Sequence, residues 1–191
     1  MIKLIAAAAA LLCVPGIAAA QDSDPDNLGG PRVELRLGWE TPTVSDGSGT
    51  VYKVGQAVSY GGEVGFDVLA GSKVTIGAYA NYDKSNVEVC DGVDCLAIDG
   101  NLSAGGRIGF VAGARTVIYV KAGYNSITVK AKSGALTGSD TQGGIGGSLG
   151  VEFGIGKNAY AFVEGNYADY GDFYGINLQR RHVAGGVGVR F

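Results

Sequence analysis

A nucleophile signature stands out first. "GGSLG", Gly146 to Gly150, fits G-x-S-x-G with Ser148 at its centre. That motif activates a serine only on a sharp strand-to-helix turn. Here Ser148 lies inside an alternating run whose glycines read as strand filler, so the context is missing. The one histidine, His182, opens the last strand. No serine close to it in sequence supports a base–nucleophile pair, and it reads as a polar residue at a rim. "CDGVDC" sets Cys90 and Cys95 close together. Two thiols without a nearby histidine are a poor metal set. An even number of cysteines in an exported chain points to a Cys90–Cys95 disulfide. "DSDPDN", Asp22 to Asn27, lacks the spacing and glycine of a calcium loop. No catalytic, cofactor or metal residues are assigned, and the chain is read as a non-enzyme.

What remains is charge. Arg32, Arg36, Arg107, Lys121 and Arg190 fall on the same strand faces as Glu34, Glu40, Glu63, Asp67, Glu152 and Glu164. Such a set needs a frame that aims all of it one way.

The chain begins with a segment that does not belong to that frame. Residues 1–20 have Lys3, an apolar run to Val14 and then Ala18-Ala19-Ala20, the form of a cleaved signal peptide. The run is too short for a membrane anchor and is broken by Pro15 and Gly16. Cys13, preceded by Leu12, leaves with it. Residues 21–31 read as a periplasmic leader and 32–191 as one domain. Without the first 20 residues, 14 basic and 18 acidic residues remain, a net charge of −4. That balance speaks against nucleic-acid binding. Yet the chain has 34 Gly, only 17% charged residues and a mean hydropathy of +0.17, unusual for a soluble domain.

Period-two alternation recurs along the chain. "RVELRLGWE" sets Val33, Leu35, Leu37 and Trp39 against Arg32, Glu34, Arg36 and Glu40. "VIYVKAGYN" sets Ile118, Val120, Ala122 and Tyr124 against Tyr119, Lys121 and Asn125. "HVAGGVGVRF" sets Val183, Val187, Val189 and Phe191 against His182 and Arg190. Eight strands of about ten residues emerge. Short turns near 70–72, 113–115 and 154–158 alternate with long connections near 43–58, 84–99, 126–142 and 169–181. On the apolar face, Trp39, Tyr60, Tyr82, Tyr124 and Tyr167 collect toward the long connections. Phe66, Phe110, Phe153 and Phe191 collect toward the short turns. Two aromatic girdles flanking an apolar band mark the two interfaces of a membrane. A soluble exported barrel or sandwich would turn the same apolar face inward. The small, glycine-crowded charged face and the end-placed aromatics favour the membrane version. The expected fold is all-β, an eight-stranded antiparallel up-and-down transmembrane barrel. Its last strand pairs with the first, because a sheet in lipid must close.

The eight strands, the turn asymmetry and the terminal "GGVGVRF" resemble the small outer-membrane β-barrels of the opacity-protein and OmpA/OmpX type, porin-family proteins of Gram-negative bacteria. The resemblance covers the chain beyond the signal segment. It implies residence in the cell outer membrane, with lipid and lipopolysaccharide around the barrel. It also implies recognition of the terminal strand and Phe191 by the barrel-assembly machinery. The role it implies is structural support and surface-loop display for adhesion or host contact. A narrow diffusion channel is the alternative, and a lipid-acting enzyme the third. Because eight strands enclose room only for side chains, the inward charges are expected to plug the lumen. On this reading, an Arg at Val120 should impair folding, whereas Lys121→Gln should leave the fold intact.

Overall fold

The computed structural model describes residues 28–45, 50–113, 115–134, 136–173 and 176–191. The segment read as a signal peptide and residues 21–27 of the leader lie outside the described residues.

Ten strands follow one another: β1 (Gly30–Ser45), β2 (Val51–Lys53), β3 (Ala57–Ala70), β4 (Val74–Ser85), β5 (Glu88–Asp91), β6 (Asp94–Val111), β7 (Thr116–Ser133), β8 (Leu136–Gly154), β9 (Ala159–Phe173) and β10 (Ile176–Arg190). Eight build the wall, while β2 and β5 are short additions at its long-hairpin end. All neighbours are antiparallel. β1 pairs with β3 on one side and with β10 on the other, so the sheet closes into a barrel. Its backbone groups therefore find partners inside the wall, as a lipid environment demands.

The stagger sets the width. Followed through paired residues, Arg32 leads by way of Gly65, Tyr79, Gly105, Gly123, Gly146, Ala168 and Arg180 back to Pro42. The path returns ten residues further along β1. For eight strands this shear corresponds to a tilt of about 40° and an interior that side chains can fill.

The eight wall strands run from 12 to 19 residues, longer than the sequence suggests. β1 starts at Gly30, so Gly30 and Pro31 belong to the wall and not to the leader. Much of 84–99 and nearly all of 126–142, read as loops, is paired β-structure. The reason lies in the alternation, which continues with its faces exchanged. Along β7 the outer face runs Ile118, Val120, Ala122, Tyr124 and then Ser126, Thr128, Lys130. The inner face runs Tyr119, Lys121, Asn125 and then Ile127 and Val129, which are buried. Below Tyr124 the apolar side faces lipid; above it the apolar side faces the axis, as in a water-soluble barrel.

Cys90 and Cys95 face each other across the β5–β6 pair and are disulfide-linked. Glu88 lies within ligand reach of both sulfurs. The disulfide removes the thiolates that a metal would require. Closing so short a ring orders the hairpin tip more than it stabilises the wall. The non-reduced protein is expected to be two hydrogens lighter by mass spectrometry, with neither thiol alkylated. Cys90→Ser/Cys95→Ser should keep the heat-dependent gel shift of a closed barrel. Loss of that shift would show the wall to depend on the bond.

Candidate functional site

Two surfaces could carry function, the lumen and the long hairpins. Six basic and seven acidic side chains are buried in the lumen among the described residues. Alternation on tilted strands places them in three tiers.

In the lowest tier, Asp67 Oδ2 accepts from Arg107 Nη1 at 2.6 Å and from Arg32 Nε and Arg190 Nη2 at 3.1 Å each. Glu152 takes Arg107 Nη2 at 2.6 Å and Arg190 Nη2 at 3.2 Å. In the middle tier, Glu63 accepts from Arg32 at 2.6 Å, Lys121 at 2.8 Å and Arg36 at 2.9 Å. Glu34 accepts from Arg32 Nη1 at 2.6 Å and from the Tyr160 hydroxyl at 2.9 Å. Glu164 takes Arg36 Nη2 and Lys121 Nζ, both at 2.6 Å. In the upper tier, Arg180 Nε donates to Glu40 at 2.7 Å, and Asp83 lies 3.5 Å from both Arg36 and Arg180.

Aromatic rings fill the gaps. Arg107 stacks 4.1 Å from the Tyr119 centroid and Arg190 5.0 Å from that of Tyr160. These rings lie close against Gly150 and Gly188. A Cβ on either glycine would come within 2.4 Å of the tyrosine ring, which explains the glycine on the charged face.

Level with the upper tier and just below it is a polar layer of Asn81, Asn101, Ser103, Asn125, Ser148 and Asn166 around a cavity of about 10 Å³ that Arg180 also lines, with Asn81 donating to Glu63 of the middle tier. That is room for about one water molecule. Higher still, Val87, Ile98, Ile127, Val129, Ala168, Tyr170 and Leu178 close the axis as an apolar cluster. The lumen is thus filled by ion pairs below and by hydrocarbon above.

All eleven inward charges of the sequence pattern are buried in this network. Asp83 and Arg180 belong to it as well and were missed, Arg180 because 169–181 read as a loop. The nine girdle aromatics are all on the outer face, from 46% exposed at Tyr167 to 62% at Tyr124 and Phe191. Ser148 Oγ donates to Asn166 at 2.6 Å on β9, with no strand-to-helix turn around it.

His182 is not the rim residue of the sequence reading. It is buried, and its Nε2 lies 2.9 Å from Ser59 Oγ, a serine 123 residues away. Its Nδ1 lies 3.4 Å from Asn166 Nδ2 and 4.0 Å from Asp83 Oδ2. Gly38 makes the space, since a Cβ there would sit 2.0 Å from Nε2. The set has the composition of a hydrolytic triad, but Ser59 is 1% exposed and does not line the cavity of the polar layer. A nucleophile needs room for the reacting group beside it. The arrangement serves as packing of the upper tier.

On the long hairpins Asp99 joins Lys84 and Lys130, the latter at 3.0 Å. The hydrogen bonds from Lys84 and then Lys130 hold its carboxyl below the usual carboxylate range. Val89, Val93, Leu96 and Leu136 are exposed there, above the level of the Tyr girdle.

A model of the outer membrane protein beta-barrel domain matches residues 4–191. Among curated proteins none matches. Among solved structures the chain is similar to Neisserial surface protein A, at 14% identity and a TM-score of 0.57, covering 83% of this chain and 97% of that one. It is also similar to Ail, the attachment invasion locus protein of Yersinia pestis. There the identity is 11% and the TM-score 0.52, over 84% of this chain and 99% of that one. A second Ail structure, in complex with the heparin analogue sucrose octasulfate, gives 12% and 0.54 over 83% and 99%. Identities this low speak for the fold alone.

Proposed function

Because the chain belongs to the outer membrane protein beta-barrel domain family, we propose that it is a closed, non-conducting barrel that braces the outer membrane and displays its long hairpins as an adhesive surface. The observation that carries this reading is the doubly filled lumen. Arg32, Arg36, Lys121, Glu63 and Glu164 cross-link opposite walls, and the Ile127 cluster caps them. An ion would have to displace paired charges and then a hydrocarbon plug, each step costing several kcal/mol. Function therefore lies on the outside of the barrel.

The hairpins support the display role. They extend past the girdle as ordered sheet, one tip is tied by the Cys90–Cys95 bond, and Val93 and Leu136 are 73% and 77% exposed. Exposed apolar groups on a rigid sheet clear of lipid suit contact with another protein. One structural neighbour, named as an attachment invasion locus protein, points the same way. Host or matrix protein is the partner proposed for this surface. Recognition of the terminal strand and Phe191 by the barrel-assembly machinery, and lipopolysaccharide contact around the Tyr girdle, complete the proposed partners. The buried Ser59 supports a non-enzymatic role.

Planar-bilayer recordings test the closed lumen. The purified protein is expected to give no stepwise conductance, while Ile127→Gly/Glu63→Gly, which thins both seals, should give some. Regular openings of the parent protein would return the diffusion-channel reading.

A further inference from the structure

Each short turn contains one basic residue and no acidic one. Lys73 lies in turn 71–73, Arg115 in 112–115 and Lys157 in 155–158, and all three are exposed. The turns form a continuous rim. Val111 N donates to Lys73 O, Gly154 N to Arg115 O and Arg190 N to Asn158 O, each at 2.8 Å. Arg115 Nη1 also donates to Gly156 O at 3.4 Å, so its guanidinium reaches the turn that holds Lys157.

The register repeats one motif three times. Lys73 precedes Val74, which faces Phe110. Arg115 precedes Thr116, which faces Phe153. Lys157 precedes Asn158, whose Nδ2 donates to the carbonyl of Arg190, next to Phe191. Each cation is thus set just beyond a lipid-facing phenylalanine of the neighbouring strand. Phe110, Phe153 and Phe191 are 52%, 49% and 62% exposed. The ring lies at acyl depth and the cation, on its flexible stem, at head-group depth. Among the described residues no exposed Asp or Glu shares this rim. The opposite end mixes both signs, with Asp91, Asp94 and Asp99 beside Lys84, Lys130 and Lys132.

We infer that the short-turn rim binds the phosphate head groups of anionic phospholipids in the leaflet that surrounds it. Paired ring and cation grip one lipid at two depths. A zwitterionic head group offers the same phosphate with a compensating cation and binds less well.

The test is lipid retention. The protein is reconstituted in vesicles of phosphatidylcholine and phosphatidylglycerol, extracted gently, and its bound lipid counted by native mass spectrometry. Phosphatidylglycerol is expected to be enriched over its bulk fraction, by about fivefold for each engaged cation at low salt. Lys73→Gln/Arg115→Gln/Lys157→Gln should abolish the enrichment and keep the heat-dependent gel shift. Lys53→Gln/Lys132→Gln, at the other end, should keep both. Inorganic phosphate at equal concentration should leave the enrichment in place, because it has no chain for the phenylalanines to cover. Three results would each overturn the proposal: no enrichment in the parent, its survival in the triple variant, or displacement by inorganic phosphate. The aspartates of residues 22–26, a few residues ahead of Gly30 in sequence, supply a fourth. If enrichment appeared only after Asp22, Asp24 and Asp26 were changed to Asn, the rim's occupant would be the chain's own leader.

Discussion

Lys121→Gln is expected to destabilise the barrel by about 3–5 kcal/mol, the cost of stranding buried charge by removing one partner. Its ammonium lies 2.8 Å from Glu63 and 2.6 Å from Glu164, with 1% of the side chain exposed. The alternation alone makes this substitution look harmless, since a polar residue replaces a polar residue on an inner face. The geometry reverses that expectation, because Lys121 is shared between two carboxylates that reach it from β3 and β9. Adding Glu164→Gln should restore much of the loss by removing the stranded negative charge. Urea titration in vesicles, followed by the fluorescence of the single tryptophan, Trp39, on the lipid face, would measure both. A loss below about 1 kcal/mol would mean that water screens the pair as it does at a surface.

Val120→Arg, one residue earlier, should cost about 2–4 kcal/mol, the penalty of a cation near the midplane on the outside of such a barrel. Val120 is 50% exposed on the lipid face and faces Ile108 on β6 and Leu149 on β8. The two variants fail for different reasons and are separable by solvent. In detergent micelles, which let a snorkelling Arg reach water, Val120→Arg should recover more than Lys121→Gln does. Equal recovery of both would argue that one mechanism, such as a shifted register, underlies them.

The membrane half of the molecule was legible because lipid enforces a strict rule on strands. Apolar outside and polar inside give a period of two, and parity follows from any one strand. Trp39, Tyr60 and Phe66 needed no tertiary knowledge. The upper half was harder, because "SITVKAKS" alternates with its apolar residues on the other face. Read as one continuous strand from Thr116, it shows Tyr124 as the point of exchange; read by composition, its Ser, Thr and Lys look like a loop. The Ser59–His182 contact was out of reach for another reason. It joins β3 to β10 across β1, through the gap left by Gly38, and no local pattern records a neighbour two strands away. Arg180 fell within 169–181, which reads as a loop; Asp83 reads as inward-facing at the end of its strand, but no single strand shows that it reaches Arg36 and Arg180.

The exchange of faces along β7 has a consequence for the bilayer itself. On β4 the lipid-facing band runs from Val74 to Tyr82. At about 3.4 Å per residue and a tilt of about 40°, that is about 20 Å along the membrane normal. A typical hydrocarbon core is about 30 Å. Most membrane helices meet such hydrophobic mismatch by tilting. This barrel has no equivalent freedom. Sliding upward would draw lipid onto the rim of Lys73, Arg115 and Lys157; sliding downward would submerge Ser126, Thr128 and Lys130. The lipid has to yield, and each molecule should be ringed by an annulus of thinned bilayer. Two barrels that share one annulus deform less lipid than two apart, so clustering should strengthen as acyl chains lengthen, with no protein contact required.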